Sequence, residues 1–397
     1  MNGNVLVIGG GIAGVTAALE AAEAGKSVHL VEKEPFLGGR VIRMNKYFPK
    51  LCPPACGMEI QFRRLRANPN VTVHTLTEVG AVTGGKGAHE ATITRKPRYV
   101  NARCVACGEC EKVCPVTRAS DFDYGLRETK AIYLPHSMAH PQWYVIDMSV
   151  CKGATCGECV KACKYGAIEL DMKETTETVT AGAVIHATGW RPYDARKIAN
   201  LGYGQVKNVI NNVEMERIAS ASGPTGGKIL RRDNGQPVKT VAFVQCAGSR
   251  DENHLPYCSS ICCLASLKQA MYVREQYPES EVYIFYIDLR APGKYEKFYQ
   301  KIQSDPGVKL IKGKVAKIEQ DATGAAVVTA EDIFGGSTGM EPSVKGAAPL
   351  AALDDNGFTA GDGALAAGVA AGPFDVTTSI QSATGAAMRA LIACAGR

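Results

Sequence analysis

The chain has 397 residues, of which 46% are hydrophobic and 21% charged, so its composition is that of a globular protein with two or three structural units. Its 45 basic and 39 acidic residues leave a net charge of +6, which is too small to predict binding to nucleic acid. The N-terminus lacks the features of a signal peptide, and no apolar run is long enough to predict a membrane span. We therefore expect a cytoplasmic protein that associates with a membrane only through partner subunits.

Residues 4–32 predict a strand, a glycine-rich turn, a helix and a second strand, in that order. Gly9, Gly11 and Gly14 form the turn in the pattern Gly-x-Gly-x-x-Gly, and Glu32 ends the second strand. The first glycine permits the tight turn, the second lets a pyrophosphate approach the backbone, and the third lets the helix pack closely on the strand. A carboxylate at the position of Glu32 accepts hydrogen bonds from a ribose. The segment therefore predicts a dinucleotide-binding Rossmann unit.

Two cysteines, Cys52 and Cys56, follow in the segment Cys-Pro-Pro-Ala-Cys. Because the chain shows no secretory signal, its thiols are expected to stay reduced, and clustered cysteines then predict redox or metal sites. Three interpretations of this pair stay open: a redox-active pair beside the bound cofactor, ligands of a metal cluster, or inert thiols.

Residues 99–171 contain two dense cysteine runs among short polar stretches that bury little apolar surface. The runs are Cys104-x2-Cys107-x2-Cys110-x3-Cys114-Pro115 and Cys151-x4-Cys156-x2-Cys159-x3-Cys163. The first run has the spacing of bacterial ferredoxins, in which three thiolates bind one [4Fe–4S] cluster and the fourth binds the other. Structural zinc is the alternative for four thiolates, but the double run favours clusters. The segment therefore predicts an inserted ferredoxin-like module that its clusters hold together.

Crossed ligation in this module predicts two sets of ligands, each combining thiolates of both runs. One set is Cys104, Cys107, Cys110 and Cys163, and the other is Cys151, Cys156, Cys159 and Cys114. The second run departs from the ferredoxin pattern in its longer first gap and in Lys164, which replaces the usual proline.

Beyond the insert, a strand over 183–187 ends in a tight turn, and a strand over 240–245 opens a second α/β unit. A pyridine-nucleotide domain would carry a second Gly-x-Gly-x-x-Gly there, but the chain carries cysteines instead. This third group consists of Cys246, Cys258, Cys262 and Cys263. The substitution predicts that electrons enter or leave through a cluster rather than through NAD(P)H. His254 is interpreted as a packed or surface histidine, and Cys394 as a buried apolar residue of the last helix.

Several of these motifs resemble the two-dinucleotide-binding flavoprotein family. Gly38-Gly39-Arg40 is similar to the segment that runs beside the flavin pyrophosphate in that family, and Ala187-Thr188-Gly189 is similar to its second flavin motif, of which residues 337–342 are a degenerate echo. Near the end of the chain, Gly361-Asp362 resembles the element that contacts the flavin ribitol, with Ala367-Gly368 and Pro373 as the alternative. The resemblance implies FAD as the cofactor.

Nearly the whole chain resembles the A subunits of heterodisulfide reductase, and looks closest to those of quinone-interacting membrane-bound oxidoreductases from sulfur-metabolising prokaryotes. The resemblance is carried by residues 38–57 and 246–263. In the family the second segment holds a [4Fe–4S] cluster close to FAD, which implies this role for the third cysteine group. It also implies an oxidoreductase subunit that passes electrons between membrane menaquinone, through a membrane-bound quinone-interacting partner and other subunits, and soluble adenylylsulfate reductase.

The expected fold is α/β: a two-dinucleotide-binding-type flavoprotein with Rossmann-like units and an inserted ferredoxin-like module that holds two [4Fe–4S] clusters. The predicted parts are the FAD-binding Rossmann part (1–98), the insert (99–171), the continued FAD domain (172–239), a second Rossmann-like domain (240–342) and the C-terminal FAD part (343–397). Three other functions stay open: a heterodisulfide-reductase-type flavin subunit with other redox partners, a self-contained NAD(P)H-dependent flavoprotein reductase, and a scaffold without working cofactors.

Overall fold

The structure is a computed structural model, which describes residues 3–291, 293–331, 340–342, 352–353, 359–360, 365–366 and 376–394. Its α-helices are, in chain order, α1 (Ile12–Glu23), α2 (Pro54–Ala67), α3 (Glu109–Lys112), α4 (Glu158–Ala162), α5 (Asn212–Ala219), α6 (Cys262–Gln276), α7 (Glu296–Gln303) and α8 (Val376–Cys394). In this described part of the chain, no helix is both long and apolar enough to cross a bilayer.

The strands of the described residues are two to nine residues long. They are β1 (Val5–Ile8), β2 (Val28–Val31), β3 (Val71–His74), β4 (Thr77–Gly85), β5 (Ala88–Arg95), β6 (Thr117–Ala119), β7 (Glu128–Lys130), β8 (Ile132–Tyr133), β9 (Val145–Ile146), β10 (Thr175–Ala181), β11 (Ala183–His186), β12 (Trp190–Pro192), β13 (Thr240–Val244), β14 (Glu281–Tyr286), β15 (Val308–Lys312), β16 (Lys314–Gln320), β17 (Ala326–Glu331), β18 (Met340–Pro342), β19 (Ala352–Leu353), β20 (Thr359–Ala360) and β21 (Leu365–Ala366).

A parallel sheet of order β21–β11–β1–β2–β3 forms the centre of the unit that carries the glycine-rich turn. Helices α1, α2 and α8 cover one face with an apolar core, and the antiparallel sheet β10–β5–β4 covers the other. Both faces of β1 are therefore buried, which explains its unbroken apolar run Val5 to Ile8. The strand–turn–helix–strand order predicted for residues 4–32 is confirmed by β1, α1 and β2.

The cysteine-rich segment leaves and rejoins the antiparallel sheet between two neighbouring strands. Arg95 at the end of β5 pairs with Thr175 at the start of β10, so the segment between them closes on itself. A bridge between Val100 and Ile168 brings its two ends together a second time. The segment contains the strand pairs β6–β7 and β8–β9 with the short helices α3 and α4, and it has a small core of its own. An insertion at this point leaves the sheet continuous.

A second parallel sheet, β13–β14–β15, packs against α6 and α7. Its strands confirm the βαβ order predicted from residue 240 onwards, with α6 connecting β13 to β14. Helix α5 lies against α6 and begins with a capping box, in which Asn211 and Glu214 each bind the other's backbone N–H.

Candidate functional site

The glycine-rich turn between β1 and α1 is closed so tightly that larger residues do not fit. Gly9 has a φ of +106°, and a Cβ added to it would lie 2.3 Å from the carbonyl oxygen of Ala187. A Cβ on Gly14 would lie 1.7 Å from the carbonyl oxygen of Gly9. Helix α1 begins at Ile12 without a side-chain cap at its N-terminus. Its first N–H groups are therefore available to an anion such as a pyrophosphate.

Glu32 is tied to this turn. Its Oε2 accepts a hydrogen bond from the Gly10 N–H at 2.7 Å, and its Oε1 accepts one from the Glu34 N–H at 2.9 Å. Burial raises the pKa of this carboxyl group to about 7, against the opposing effect of the two backbone hydrogen bonds. The geometry places a carboxylate at the end of β2 beside the helix N-terminus, which is where a ribose of a bound dinucleotide needs an acceptor.

The segment after β2 lies directly on the glycine turn. Gly38 forms a parallel bridge with Gly11 and donates from its N–H to the Gly10 carbonyl at 2.8 Å. Gly39 has a φ of +54°, and a Cβ added to it would lie 2.9 Å from the Gly11 Cα. Two backbones pass here without side chains between them. Glycine at these positions permits this close approach.

Arg40, the next residue, connects three parts of the chain. Its Nε donates to the Trp190 carbonyl at 3.1 Å, and its Nη1 donates to the Tyr124 hydroxyl at 3.1 Å. The guanidinium group also lies over both aromatic rings, at 5.6 Å from the Trp190 centroid and 5.8 Å from the Tyr124 centroid. Arg40 thus holds residues 38–46, called the flavin segment after their predicted role, against the predicted insert and against the segment after β11.

The turn after β11 reaches the same edge of the sheet. Ala187 donates from its N–H to the Ile8 carbonyl at 2.7 Å, which sets Thr188 and Gly189 beside the end of β1. Among the described residues, the buried Thr188 Oγ1 and both ring nitrogens of His186 have no hydrogen-bond partner. Buried polar atoms without partners mark a place where a bound group is expected. His186 was not predicted from the sequence, although a histidine at the end of an apolar strand was visible there.

These features fit a dinucleotide such as FAD at the carboxyl ends of β1 and β11. Gly361 and Asp362, predicted to contact the ribitol, lie outside the described residues, as do the alternative residues 367–373. The side chain of Cys394 is also outside them.

The segment predicted to be a ferredoxin-like insert contains two cavities, each lined by cysteines of both runs. One is lined by Cys104, Cys107, Cys110 and Cys163. The other is lined by Cys114, Cys151, Cys156 and Cys159. In each cavity, the first three cysteines of one run lie together with the last cysteine of the other run. The structure therefore groups these cysteines in the two sets that crossed ligation requires, while their ligand stays a prediction.

The chemistry of the thiols in these cavities fits a cluster. Burial, followed by the neighbouring thiolate of Cys104, raises the pKa of Cys110 to about 12. Positive iron is the kind of charge that makes such thiolates stable. The N–H groups of Gly153 and Ala167 donate to the Sγ atoms of Cys151 and Cys163, both at 3.4 Å. Hydrogen bonds to sulfur are one of the means by which proteins set the potential of a cluster.

Nowhere in the described ranges do three His, Cys, Asp or Glu side chains converge as the ligands of one metal ion. In a cubane cluster each thiolate binds a different iron, so its four ligands surround a volume rather than a point. In each of the two cavities, the four cysteines surround a volume in this way.

The third cysteine group lies where β13 ends and α6 begins. Cys246 has a φ of +53°, and Cys262 and Cys263 are the first two residues of α6. Burial raises the pKa of Cys246 to about 11, with further contributions from Cys263 and Cys258. These three thiols therefore lie close enough to interact, and Cys262 is the buried neighbour of Cys263. His254 accepts or donates a hydrogen bond with the Tyr193 hydroxyl at 2.7 Å, as a packed histidine does.

Cys52 and Cys56 lie at the start of α2, where Cys52 is half-buried and Cys56 exposed. Burial and these two thiols raise the pKa of Tyr47, whose hydroxyl forms a hydrogen bond with Cys52. Neither cysteine lines the two cavities of the insert.

Comparisons with known proteins agree with the flavin site. The family described as FAD dependent oxidoreductase matches residues 4–45, which contain the glycine turn, Glu32 and Gly38-Gly39-Arg40. A crystal structure of thioredoxin reductase from T. acidophilum superimposes with a TM-score of 0.50, at 14% identity, over 99% of this chain and 98% of that chain. This similarity shows the fold alone: a mixed α/β fold of the FAD-dependent oxidoreductase kind.

Curated relatives match nearly the whole chain. The A subunit of the ferredoxin/F420H2-dependent CoB–CoM heterodisulfide reductase from Methanosarcina acetivorans is 37% identical over 98% of this chain and 53% of its own length. The iron–sulfur A subunit of the CoB–CoM heterodisulfide reductase from Methanocaldococcus jannaschii is 40% identical over 96% of this chain and 63% of its own length. The chain thus spans roughly half to two thirds of the length of the relatives it matches. Over nearly its whole length the chain is similar to the A subunits of heterodisulfide reductase, and its residues 4–45 match the FAD dependent oxidoreductase family.

Proposed function

We propose that the chain is the FAD and iron–sulfur electron-transfer subunit of a multi-subunit oxidoreductase. The proposal is supported above all by two cavities, each lined by four cysteines, in the same molecule as a dinucleotide-binding turn. FAD, when bound, exchanges electrons in pairs while each [4Fe–4S] cluster exchanges single electrons, so the flavin serves as a junction between the two. The name of the M. jannaschii relative, which calls it an iron–sulfur subunit, also supports clusters.

The residues of this chain bind and orient FAD in this proposal. Gly9, Gly11 and Gly14 leave room for the pyrophosphate at the N-terminus of α1, and Glu32 accepts hydrogen bonds from the ribose. On the other side of the turn lie Gly38, Gly39 and Arg40, with Thr188 and Gly189 at the end of β11. Gly361 and Asp362 complete the site at the ribitol, as the flavoprotein resemblance implies. The pKa of Glu32 near 7 implies that binding, which favours its ionised form, releases a proton.

Clusters occupy three places in this proposal: the two cavities of the insert and the third cysteine group. Cys246, Cys258, Cys262 and Cys263 hold the third cluster, between the flavin and the insert or a partner. This group stands at the first turn of the second sheet, where a nicotinamide-binding domain would need glycines. A self-contained NAD(P)H-dependent reductase is for that reason not favoured.

The partners are proposed from the resemblance. They are further subunits of a redox complex and include a membrane-bound quinone-interacting subunit, through which the protein associates peripherally with a membrane. The soluble partner is adenylylsulfate reductase. The curated relatives are named for another acceptor, the CoB–CoM heterodisulfide, which is the second candidate for the partner chemistry.

Anaerobic titration of the purified protein tests this function, with Cys262→Ser as the decisive variant. In the wild type we expect dithionite to reduce a flavin and iron–sulfur centres, NADH to leave the flavin absorbance unchanged, and acid to release the flavin into the supernatant. In Cys262→Ser we expect FAD to stay bound, because the glycine turn is remote from Cys262 in the sequence and contains none of the cysteines of the third group. Iron content and the rate of electron passage to an external acceptor are expected to fall.

Each arm of this experiment has an outcome that contradicts the proposal. A colourless protein contradicts the cofactors, and bleaching of the flavin by NADH favours the self-contained reductase. If Cys262→Ser keeps its full iron content and the wild-type rate of electron passage to the external acceptor, the third cluster is excluded. Flavin that remains in the washed acid pellet shows a covalent bond.

We further propose that Cys52 and Cys56 are a redox pair. Their support is the exposed position of Cys56 in the first turn of α2, four residues after Cys52. Air-oxidised protein, digested without reductant, is expected to yield a disulfide-linked peptide containing both cysteines in mass spectrometry. If both thiols are recovered free after oxidation, the pair is not redox-active.

A further inference from the structure

Helix α5 is almost completely buried, although three of its eight residues carry a charge. The exposed fractions of Glu214, Glu216 and Arg217 are 4%, 5% and 1%. Glu214 belongs to the capping box at the start of the helix. The contacts of the other two charged residues described below are to groups outside α5. Because a buried charge is costly unless it is paired, the partners of Glu216 and Arg217 indicate what the helix holds together.

Arg217 contacts the ferredoxin-like insert and the flavin segment at once. Its Nε donates to Oδ1 of Asp123 at 2.9 Å, and its guanidinium carbon lies 4.6 Å from the ring centroid of Phe122. Its Nη1 donates to the carbonyl oxygen of Arg43 at 3.2 Å, and its Nη2 to that of Ser222 at 3.1 Å. Asp123 is fully buried as well. One buried guanidinium group therefore joins the insert to the segment that follows Gly38-Gly39-Arg40.

Glu216, the neighbouring residue, contacts the flavin segment and α6. Its Oε2 accepts hydrogen bonds from the Asn45 N–H at 3.0 Å and from the Tyr272 hydroxyl at 3.2 Å. Its Oε1 accepts one from Gln269 Nε2 at 2.8 Å and pairs with Lys268 Nζ at 3.1 Å. The last three partners belong to α6, which begins with the adjacent cysteines of the third group. Through Glu216, α5 holds that helix against the flavin segment.

We infer that Glu216 and Arg217 are positioning residues, which set the distances from the flavin site to the ferredoxin-like insert and to the third cysteine group. This inference rests on the proposed function, because it concerns the passage of electrons between those sites. Directed hydrogen bonds to charged groups fix angle and separation, whereas apolar contacts tolerate sliding. Arg217 is suited to this task because its planar fork reaches Asp123, Arg43 and Ser222 in different directions.

Arg217→Lys tests the inference in the full chain, since lysine keeps the charge but loses the fork. We expect FAD and iron content to stay at wild-type values. Backbone amides of residues 120–127 should exchange with deuterium about ten- to a hundredfold faster, as the loss of one charged hydrogen bond implies. Stopped-flow reduction should show slower electron exchange between flavin and clusters. Asp123→Asn should have the same effects, and the double variant should add little to either single change.

Arg196→Lys is the matched control, because Arg196 also pairs with an aspartate, Asp194, but is exposed. It should change neither the amide hydrogen exchange of residues 120–127 nor the rate of electron exchange between flavin and clusters. The inference is wrong if both Arg217→Lys and Asp123→Asn keep the wild-type rate of amide hydrogen exchange in residues 120–127 and the wild-type rate of electron exchange between flavin and clusters. If Arg217→Lys does not fold, Asp123→Asn decides alone, because its amide has nearly the same shape as the carboxylate. If the wild type contains no clusters, the proposed function is wrong instead. The hydrogen-exchange result then still tests whether the Arg217–Asp123 pair fixes the insert.

Discussion

Replacing Gly14 with alanine is expected to weaken FAD binding by at least about tenfold. The added Cβ would lie 1.7 Å from the Gly9 carbonyl oxygen and 3.3 Å from the Ala187 Cβ, so either α1 or the turn must move. Overpacking of this kind costs about 1–3 kcal/mol or more, which corresponds to roughly a tenfold to hundredfold or greater loss of affinity when the distorted element is the binding site itself. The affinity of the apoprotein for FAD, measured by quenching of flavin fluorescence, gives the result directly.

The control for this variant is Gly25→Ala, at the end of α1. Gly25 has a φ of +80°, but a Cβ added there meets nothing within 4 Å. Alanine in this conformation strains the backbone by about 1–2 kcal/mol. It should therefore lower thermal stability without changing the affinity for FAD. Wild-type affinity in Gly14→Ala, or equal losses in both variants, would contradict the assignment of the turn.

Replacing Cys107 or Cys163 with alanine is expected to remove the same [4Fe–4S] cluster. The two cysteines lie in different runs, yet they line one cavity. Each single variant should lose about four iron atoms per chain, the content of one cubane cluster. Because the insert buries little apolar surface, loss of a cluster also removes folding energy. Limited proteolysis should therefore cut the insert faster in both variants than in the wild type.

The double variant Cys107→Ala with Cys163→Ala separates crossed from uncrossed ligation. If both thiols hold one cluster, the double variant loses no more iron than either single variant. If each run held its own cluster, the losses would add. Cys56→Ala, whose thiol lines neither cavity, should keep all of its iron. Measurement of iron and acid-labile sulfide in the wild type and the four variants gives the answer.

Local patterns were sufficient for the elements that lie close together in the chain. The turn with Gly9, Gly11 and Gly14 and the carboxylate of Glu32 were predicted correctly as parts of a strand–helix–strand unit, because Rossmann geometry requires these residues at short, fixed separations. The βαβ order after residue 240 was predicted for the same reason. The resemblance to the A subunits of heterodisulfide reductase was confirmed by relatives that match 96–98% of the chain.

What the sequence determined by itself is therefore the mixed α/β fold and the strand–turn–helix–strand unit of residues 4–32, since short-range spacing carries this information, while the ligand of the cysteine runs stays a prediction. Only the tertiary structure decided how these parts are joined. Arg217 pairs with Asp123, which lies 94 residues earlier, and Glu216 binds Asn45, which lies 171 residues earlier. The unpartnered His186 ring is visible only once β11 is buried. Contacts across such separations leave no period or motif in the chain, because any two positions that folding brings together can make them.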